Sequence, residues 1–395
     1  SSRPPLLVVG ESGLGKSANL AHWATRHAAQ HPEELLISHH LGSSPSSSSW
    51  SHMLWRLVAE AREGLPASLA SALTLPPSSA PAADLKALFA SLLRVVTRAP
   101  APGVSPPRLL LLLDGFDKLL ASGHAADLTW LPQTFPPNVT VIISSSPCRK
   151  ADVLKKRGCQ VVQMAPLAEA TRRTLLQRHL SARSKSLDDT FERRLASAPQ
   201  CASPRYLRTI LNELAISTSH DGLEGEISRL LSRHDAASLY LAVIERMVAD
   251  FSQVNEASAG KAAGGVVESV LSFLAASRGG LHLRDELRPL LQRRGIDESE
   301  YSHLLLVLED EGLLSDCYGR LTFANPDVQE AVRLSFLSTA EERDRLHSEL
   351  ADFFEDGARV GSHLTESHGD AGGLFGGARE LPWQLEQAGQ LSRLG

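Results

Sequence analysis

The sequence predicts an α/β fold, a parallel sheet with helices on both faces, followed by a mainly helical region. Three observations carry that prediction. Mainly apolar strand candidates at residues 6–9, 35–39, 109–113, 139–144 and 161–164 alternate with segments of helical periodicity. These runs are continuous rather than alternating, as strands buried on both faces are. Beyond residue 168 the pattern is helical, apart from a hairpin-like stretch at residues 313–323. Strands separated by helices pair in parallel through right-handed crossovers.

Each element has its own signal. Leu6-Leu7-Val8-Val9 ends in glycine, and residues 17–30 follow as a helix. Residues 35–39 form the second strand, and a serine-rich loop at 43–51 precedes a helix at 53–62. Residues 84–98 read as a helix with Leu85, Leu88, Leu92 and Val95 on one face. Four prolines within 99–107 force a loop before the aliphatic strand 109–113. Helices are expected at 168–182, 189–196, 206–217, 235–252, 266–276, 283–292 and 298–311. The last three, followed by a hairpin over 313–316 and 320–323 turning at Cys317-Tyr318-Gly319, have winged-helix order. Small residues at 255–265 read as a linker. Glycines at 357–377 read as a mobile stretch, and a new helical element begins at Pro382.

Composition bounds the possibilities. A chain of 395 residues has room for two or three domains. Hydrophobic and charged fractions of 43% and 22% are those of a soluble globular protein. A net charge of −5 gives no sign of a nucleic-acid or anionic-membrane surface. The longest aliphatic run, residues 109–113, is far too short to span a bilayer. The four cysteines have no CxxC spacing and read as reduced structural thiols of a cytoplasmic protein. The start, Ser1-Ser2-Arg3-Pro4-Pro5, has neither an initiator Met nor a leader pattern, so a piece of a longer protein is expected.

The chemistry concentrates in Gly10-Glu11-Ser12-Gly13-Leu14-Gly15-Lys16-Ser17, a full match to G-x-x-x-x-G-K-[ST] between a strand and a helix. Its glycines let the backbone wrap phosphates closely, and its N–H groups, up to Ala18 in the helix, point inward as an anion nest. Lys16 is expected to reach the β- and γ-phosphates, and Ser17 to offer a hydroxyl to Mg²⁺. The run Leu109-Leu110-Leu111-Leu112-Leu113-Asp114 delivers a carboxylate to the sheet edge, making Asp114 the second metal residue. Asp117 is expected to orient the attacking water, with a helix N-cap as its alternative. Ser144 or Ser145, ending the next strand, is placed to sense the γ-phosphate, with Arg149 read as either a reaching cation or part of a turn. Arg149-Lys150-Ala151-Asp152 only faintly matches the guanine-reading Asn-Lys-x-Asp, so ATP or ADP with Mg²⁺ is the expected ligand.

These motifs, with the winged-helix-like order behind them, resemble the STAND class of P-loop NTPases of NACHT type. The nearest likeness is to the nephrocystin, telomerase-associated and NACHT/WD-repeat group. The likeness rests also on His40-Leu41-Gly42-Ser43-Ser44, Trp130-Leu131-Pro132, Ser203-Pro204-Arg205-Tyr206-Leu207 and Glu380-Leu381-Pro382-Trp383-Gln384-Leu385. It implies an NTPase domain at 1–168, a helical lid at 169–232 and a winged helix at 233–345. A linker and the start of a helical repeat region would follow at 346–395. Pro204 would pack on the adenine, though it also fits a simple helix start. Three positions depart from the pattern: Lys118 where a second acid is usual, Ser146 for the sensor arginine, and Asn325 for the histidine that locks the ADP state.

The function so implied is a slow ATPase working as an ATP/ADP–Mg²⁺ conformational switch. It would control self-association or the binding of protein partners through repeats beyond residue 395. A cilium-associated place follows from the resemblance alone. The alternatives are a steadily hydrolysing AAA-like remodeller and a scaffold whose nucleotide site no longer works. A winged helix raises DNA binding, but residues 281–345 mix Arg with Asp and Glu and show no basic stripe.

Overall fold

The computed structural model describes residues 2–394 except 45, 121–127, 217–221, 257–263, 318 and 362–371. Tyr318, most of the expected linker at 255–265 and the middle of the glycine-rich stretch at 357–377 lie outside the described residues. The chain divides into two compact units, Ser1–Ala168 with Ser203–Arg205, and Glu169–Ala202 with Tyr206–Gly395. No described helix is long and apolar enough to cross a membrane.

The first unit runs β1 (Leu6–Val9), α1 (Lys16–Gln30), β2 (Leu35–His40), α2 (Trp50–Gly64), α3 (Ala67–Ala70), α4 (Ala82–Val95), β3 (Leu109–Asp114), β4 (Val139–Ser145), α5 (Arg149–Lys156) and β5 (Gln160–Gln163). Its strands form one parallel sheet in the order β2-β3-β4-β1-β5. The expected α/β architecture with helices on both faces is therefore present.

The continuous aliphatic run of β3 has a direct cause. Side chains alternate faces along a strand. Leu109, Leu111 and Leu113 enter a large core with residues of α2 and α4, including Met53, Leu57, Leu85 and Leu92. Leu110 and Leu112 enter a smaller core with Leu20 and Ala24 of α1. Burying such a leucine contributes roughly 1.5–3 kcal/mol, and both faces of β3 draw on it. Asp114 belongs by this alternation to the α1 face.

Two expectations need correction. β5 is an edge strand whose Val161 and Val162 remain 46% and 47% exposed, so full burial on both faces holds only for the inner strands. Arg149, read as either a reaching cation or part of a turn, is instead the first residue of helix α5 (Arg149–Lys156). Its Lys150 donates to the backbone carbonyls of Asp117 (2.8 Å) and Leu119, fixing the helix start against the turn after β3.

The second unit contains α6 (Glu169–Ser181), α7 (Asp189–Ser197), α8 (Pro204–Ile216, of which all beyond Arg205 belongs here), α9 (Leu223–Leu231), α10 (Ala236–Glu256) and α11 (Gly264–Ala276). Then come β6 (Leu281–His282), a π-helical turn at Leu283–Leu287, α12 (Arg288–Arg293), α13 (Glu298–Asp310), β7 (Leu314–Cys317), β8 (Arg320–Phe323), α14 (Pro326–Phe336), α15 (Ala340–Gly361) and α16 (Gly372–Gln387). The expected hairpin is β7 against β8, with Leu314 opposite Phe323, and β6 extends it into a three-stranded antiparallel sheet. Asp297 and Glu300 form a capping box that starts α13.

Three features of this unit correct the reading. Residues 357–361 and 372–377 are helical, belonging to α15 and α16. The helix containing Pro382 begins well before it, at Gly372. It packs against α15, and the fully buried Gln384 donates to the Ala276 carbonyl at 2.9 Å while its Oε1 meets His347 Nδ1 at 2.7 Å. Asn325 is the N-cap of α14: its Oδ1 accepts the backbone N–H groups of Asp327 and Val328, and its Nδ2 donates to the Tyr240 hydroxyl at 3.3 Å. The side chain standing where a histidine was expected is thus committed to a helix start.

Candidate nucleotide and metal site

β1 carries the chain to the C-terminal edge of the sheet, where ligands of parallel α/β folds bind. Gly10 N–H donates to the Ser145 carbonyl of β4 at 3.3 Å, which fixes where the loop leaves the sheet. Gly13 and Gly15 sit at φ +83° and +82°, a region other L-residues enter only at a cost of about 1–2 kcal/mol. Gly15 caps α1 without a side chain, so the first-turn N–H groups at Lys16, Ser17 and Ala18 face the loop mouth, a site suited to an anion. Leu14 is buried and anchors the loop, while Glu11, Ser12, Ser17 and Ala18 stay exposed.

Lys16 is buried, and its ammonium donates to the carbonyls of Gly10 (2.7 Å) and Glu11 (2.9 Å) and to the Ser146 hydroxyl (3.2 Å). Burial pushes its pKa below the ordinary lysine value, against the opposing pull of Asp117 and Asp114.

β3 lies two strands from β1, with β4 between them. Asp114 is buried at its end, and three side chains converge on it. Ser144 Oγ donates to its Oδ1, His40 Nδ1 lies 3.3 Å from its Oδ2, and the nearby Ser17 hydroxyl favours its ionised form. Burial alone would raise the carboxyl pKa, but these hydrogen bonds outweigh it and hold Asp114 below the usual range. Ser17 and Asp114, the two residues expected to hold a metal, therefore lie near each other at the sheet edge. Hydroxyl and carboxylate oxygens are hard donors that fit Mg²⁺.

Asp117 lies in the 3₁₀ turn Phe116–Lys118 and accepts the Ser146 backbone N–H at 2.9 Å. It is not a helix N-cap, since Gly115 precedes that turn as its cap. Lys118 lies along Gly42, where an added Cβ would come within 2.5 Å of its Cδ, and beside Gly115.

Ser144 calls for a correction. It is fully buried, its proton goes to Asp114, and its oxygen accepts Gly115 N–H at 2.9 Å. Its hydroxyl is spent on holding Asp114, and Ser146 is the β4-side hydroxyl beside Lys16. Arg149 is exposed at the start of α5. Pro204 lies beside the loop, its Cγ 3.9 Å from where a Cβ on Gly15 would stand. The next residue, Arg205, clasps the loop: its N–H donates to the Gly13 carbonyl at 3.2 Å and its Nη1 to Ser12 Oγ at 3.1 Å.

His40, Ser146 and Arg205 were not singled out as site residues. For His40 a signal existed: runs ending at His40 and Asp114 on neighbouring parallel strands put those two residues side by side. Ser146 and Arg205 depend on how loops fold back, which no periodicity encodes.

Residues 4–183 match the NACHT domain family. A TPR repeat-containing protein of Dictyostelium discoideum is 29% identical over 93% of this chain and 23% of its own length. Human nephrocystin-3 is 24% identical over 99% of this chain and 27% of its own length. The chain thus spans about a quarter of these relatives. Among solved structures, a Walker-type ATPase of Pyrococcus abyssi is 15% identical with a TM-score of 0.38, over 84% of this chain and 91% of its own.

Proposed function

We propose that this chain, which carries a NACHT-type P-loop NTPase domain over residues 4–183, is an ATP/ADP–Mg²⁺-dependent conformational switch with slow hydrolysis. The observation that carries the reading is the convergence of Lys16, Ser17 and Asp114 at one sheet edge, with Ser203–Arg205 folded onto the same loop. Lys16 answers the phosphate charge, Ser17 and Asp114 hold the metal, and Asp117 orients water. Pro204 would pack on the adenine, a reading supported by its place beside Gly15.

The switch needs a cover whose position depends on the nucleotide. Residues 169–232 serve as the helical lid and 233–345 as a winged helix, with 346–395 leading toward repeats in a longer protein. Support comes from the helical content of these residues, the β7–β8 hairpin and the TPR-containing relative. α8 starts at Pro204 against the loop and continues into the second unit, a covalent route for loop movement. The output is self-association or exposure of a protein-binding site. The mixed charges over 281–345 support a protein partner over a nucleic acid. Slow turnover is supported by Lys118, a cation where a second acid would assist hydrolysis.

Two measurements on the purified chain test this reading. Bound ADP with Mg²⁺, and turnover on the order of 10⁻³ s⁻¹ without a partner, are expected, as for an unassisted switch NTPase. Steady turnover well above about one per minute contradicts the switch and favours a remodelling ATPase.

A further inference from the structure

The geometry points to His40 as a positioning residue for the Asp114 carboxylate, and so for the divalent-cation end of the site. The inference rests on the nucleotide–Mg²⁺ reading above and adds to it a residue from a strand outside the phosphate loop and its aspartate strand.

The placement begins with strand register. β2 and β3 run parallel with His40 opposite Asp114, the last pair of the ladder. Neighbouring side chains on a strand point to opposite faces, so the two adjacent histidines have different surroundings. His39 is buried toward α2, with Nε2 2.8 Å from the Ser47 carbonyl and Nδ1 3.0 Å from Arg56 Nη1. Burial holds its imidazole below the ordinary pKa. His40 turns to the α1 face, the face of Asp114 and Ser17, with half of its side chain exposed.

There its Nδ1 meets Asp114 Oδ2 at 3.3 Å, while Ser144 takes Oδ1. The two carboxylate oxygens thus have donors on different strands, β2 and β4, flanking β3. A buried carboxylate held from both sides keeps one orientation, whereas loss of either donor frees it to turn and leaves an oxygen poorly solvated. A residue that only packed against β3 would not need to reach Oδ2. In metal sites, partners of this kind orient the ligating group and tune its affinity for the ion.

The test compares wild type, His40→Ala, His40→Asn and Asp114→Ala by titrating each full chain with a fluorescent ATP analogue, once with Mg²⁺ and once with EDTA. Asn can put an amide N–H near the place of Nδ1. Wild type binds more tightly with Mg²⁺, and Asp114→Ala loses that gain. His40→Ala is expected to lose about tenfold of the Mg²⁺-dependent gain while its affinity in EDTA stays within about twofold of wild type. His40→Asn is expected to recover most of the gain. The inference is overturned if His40→Ala keeps the wild-type Mg²⁺ gain, if it weakens binding equally in both buffers, or if Asn is no better than Ala. If wild type shows no nucleotide binding, or Asp114→Ala keeps the Mg²⁺ gain, the nucleotide–metal reading itself fails and takes this inference with it.

Discussion

Asp117 Oδ1 accepts the backbone N–H of Ser146 at 2.9 Å, tying the turn after β3 to the end of β4. One oxygen of the proposed water-orienting carboxylate is therefore a staple, and its two roles can be separated. Asp117→Asn keeps an acceptor and loses the charge, whereas Asp117→Ala loses both. We expect the Asn variant to melt near wild type and hydrolyse ATP at least about tenfold more slowly. The Ala variant should lose a further ~1 kcal/mol of stability. Melting curves and single-turnover assays check this, and an Asn variant with wild-type hydrolysis would leave Asp117 only the staple.

Asp114 predicts a pH dependence. Its carboxyl is held below the ordinary 3.8 despite burial, because the hydrogen bonds with His40 and Ser144 and the nearby Ser17 hydroxyl favour the ionised form. A depressed carboxyl stabilises the fold above its unfolded pKa, and that contribution is lost as pH falls through the folded one. The stability difference between wild type and Asp114→Asn should thus be constant over about pH 5–8 and shrink below about pH 4. Denaturant melts across that range test it, and a difference already shrinking at neutral pH would contradict the assignment.

Gly13 should be intolerant of a side chain for two separable reasons. Its φ of +83° penalises any other residue, and a Cβ there would meet Ser203 Oγ at 3.1 Å and Arg205 Cβ at 3.2 Å. Gly158 has φ +84° with open space around its Cβ position. Gly158→Ala therefore reports the backbone cost alone, about 1–2 kcal/mol. Gly13→Ala should cost more and weaken nucleotide binding as well. Equal costs with unchanged binding would mean that Ser203–Arg205 does not press on the loop.

In the second unit, Arg246 joins three elements. It donates to Glu213 of α8 at 2.8 and 3.0 Å, to Glu311 after α13 at 3.0 and 2.9 Å, and to Asp250 at 2.9 Å. The side chains of Glu213 and Glu311 are only 2% and 12% exposed, and burial keeps the Glu311 carboxyl above its ordinary pKa despite Arg246. Arg246→Met strands those carboxylates, at a cost of about 3–5 kcal/mol. Protonation relieves a stranded buried carboxylate, so the loss should be smaller at pH 5 than at pH 8, in the order of about a kcal/mol. Thermal melts at both values decide.

Much of this was legible in the sequence because it follows from periodicity and a complete motif. The run ending in Asp114 reads as a strand buried on both faces since both its odd and its even residues have a core to enter. The phosphate loop reads directly because glycine spacing dictates its backbone. What stayed hidden depends on contacts distant in sequence. Ser144 looked like a ligand residue because it ends a strand, but its partner Asp114 is 30 residues away. Arg205 reaches Ser12 across 193 residues. Asn325 resembled a substituted ligand, yet Asn followed by Pro at a helix start is also a capping signal, and capping is its role in the fold. β5, Gln160-Val161-Val162-Gln163, is short, flanked by glutamines and at the sheet edge, where it stays exposed.

The central claim is that Lys16 and its loop hold the phosphates of ATP, and equilibrium ATP affinity of wild type against Lys16→Ala tests it most directly. Lys16 donates to two carbonyls of the loop and to the Ser146 hydroxyl and supplies the loop's positive charge, so its removal should weaken binding by roughly ten- to 150-fold, about 1.5–3 kcal/mol. A folded Lys16→Ala chain that binds ATP as tightly as wild type, or a wild-type chain that binds none, would contradict the account.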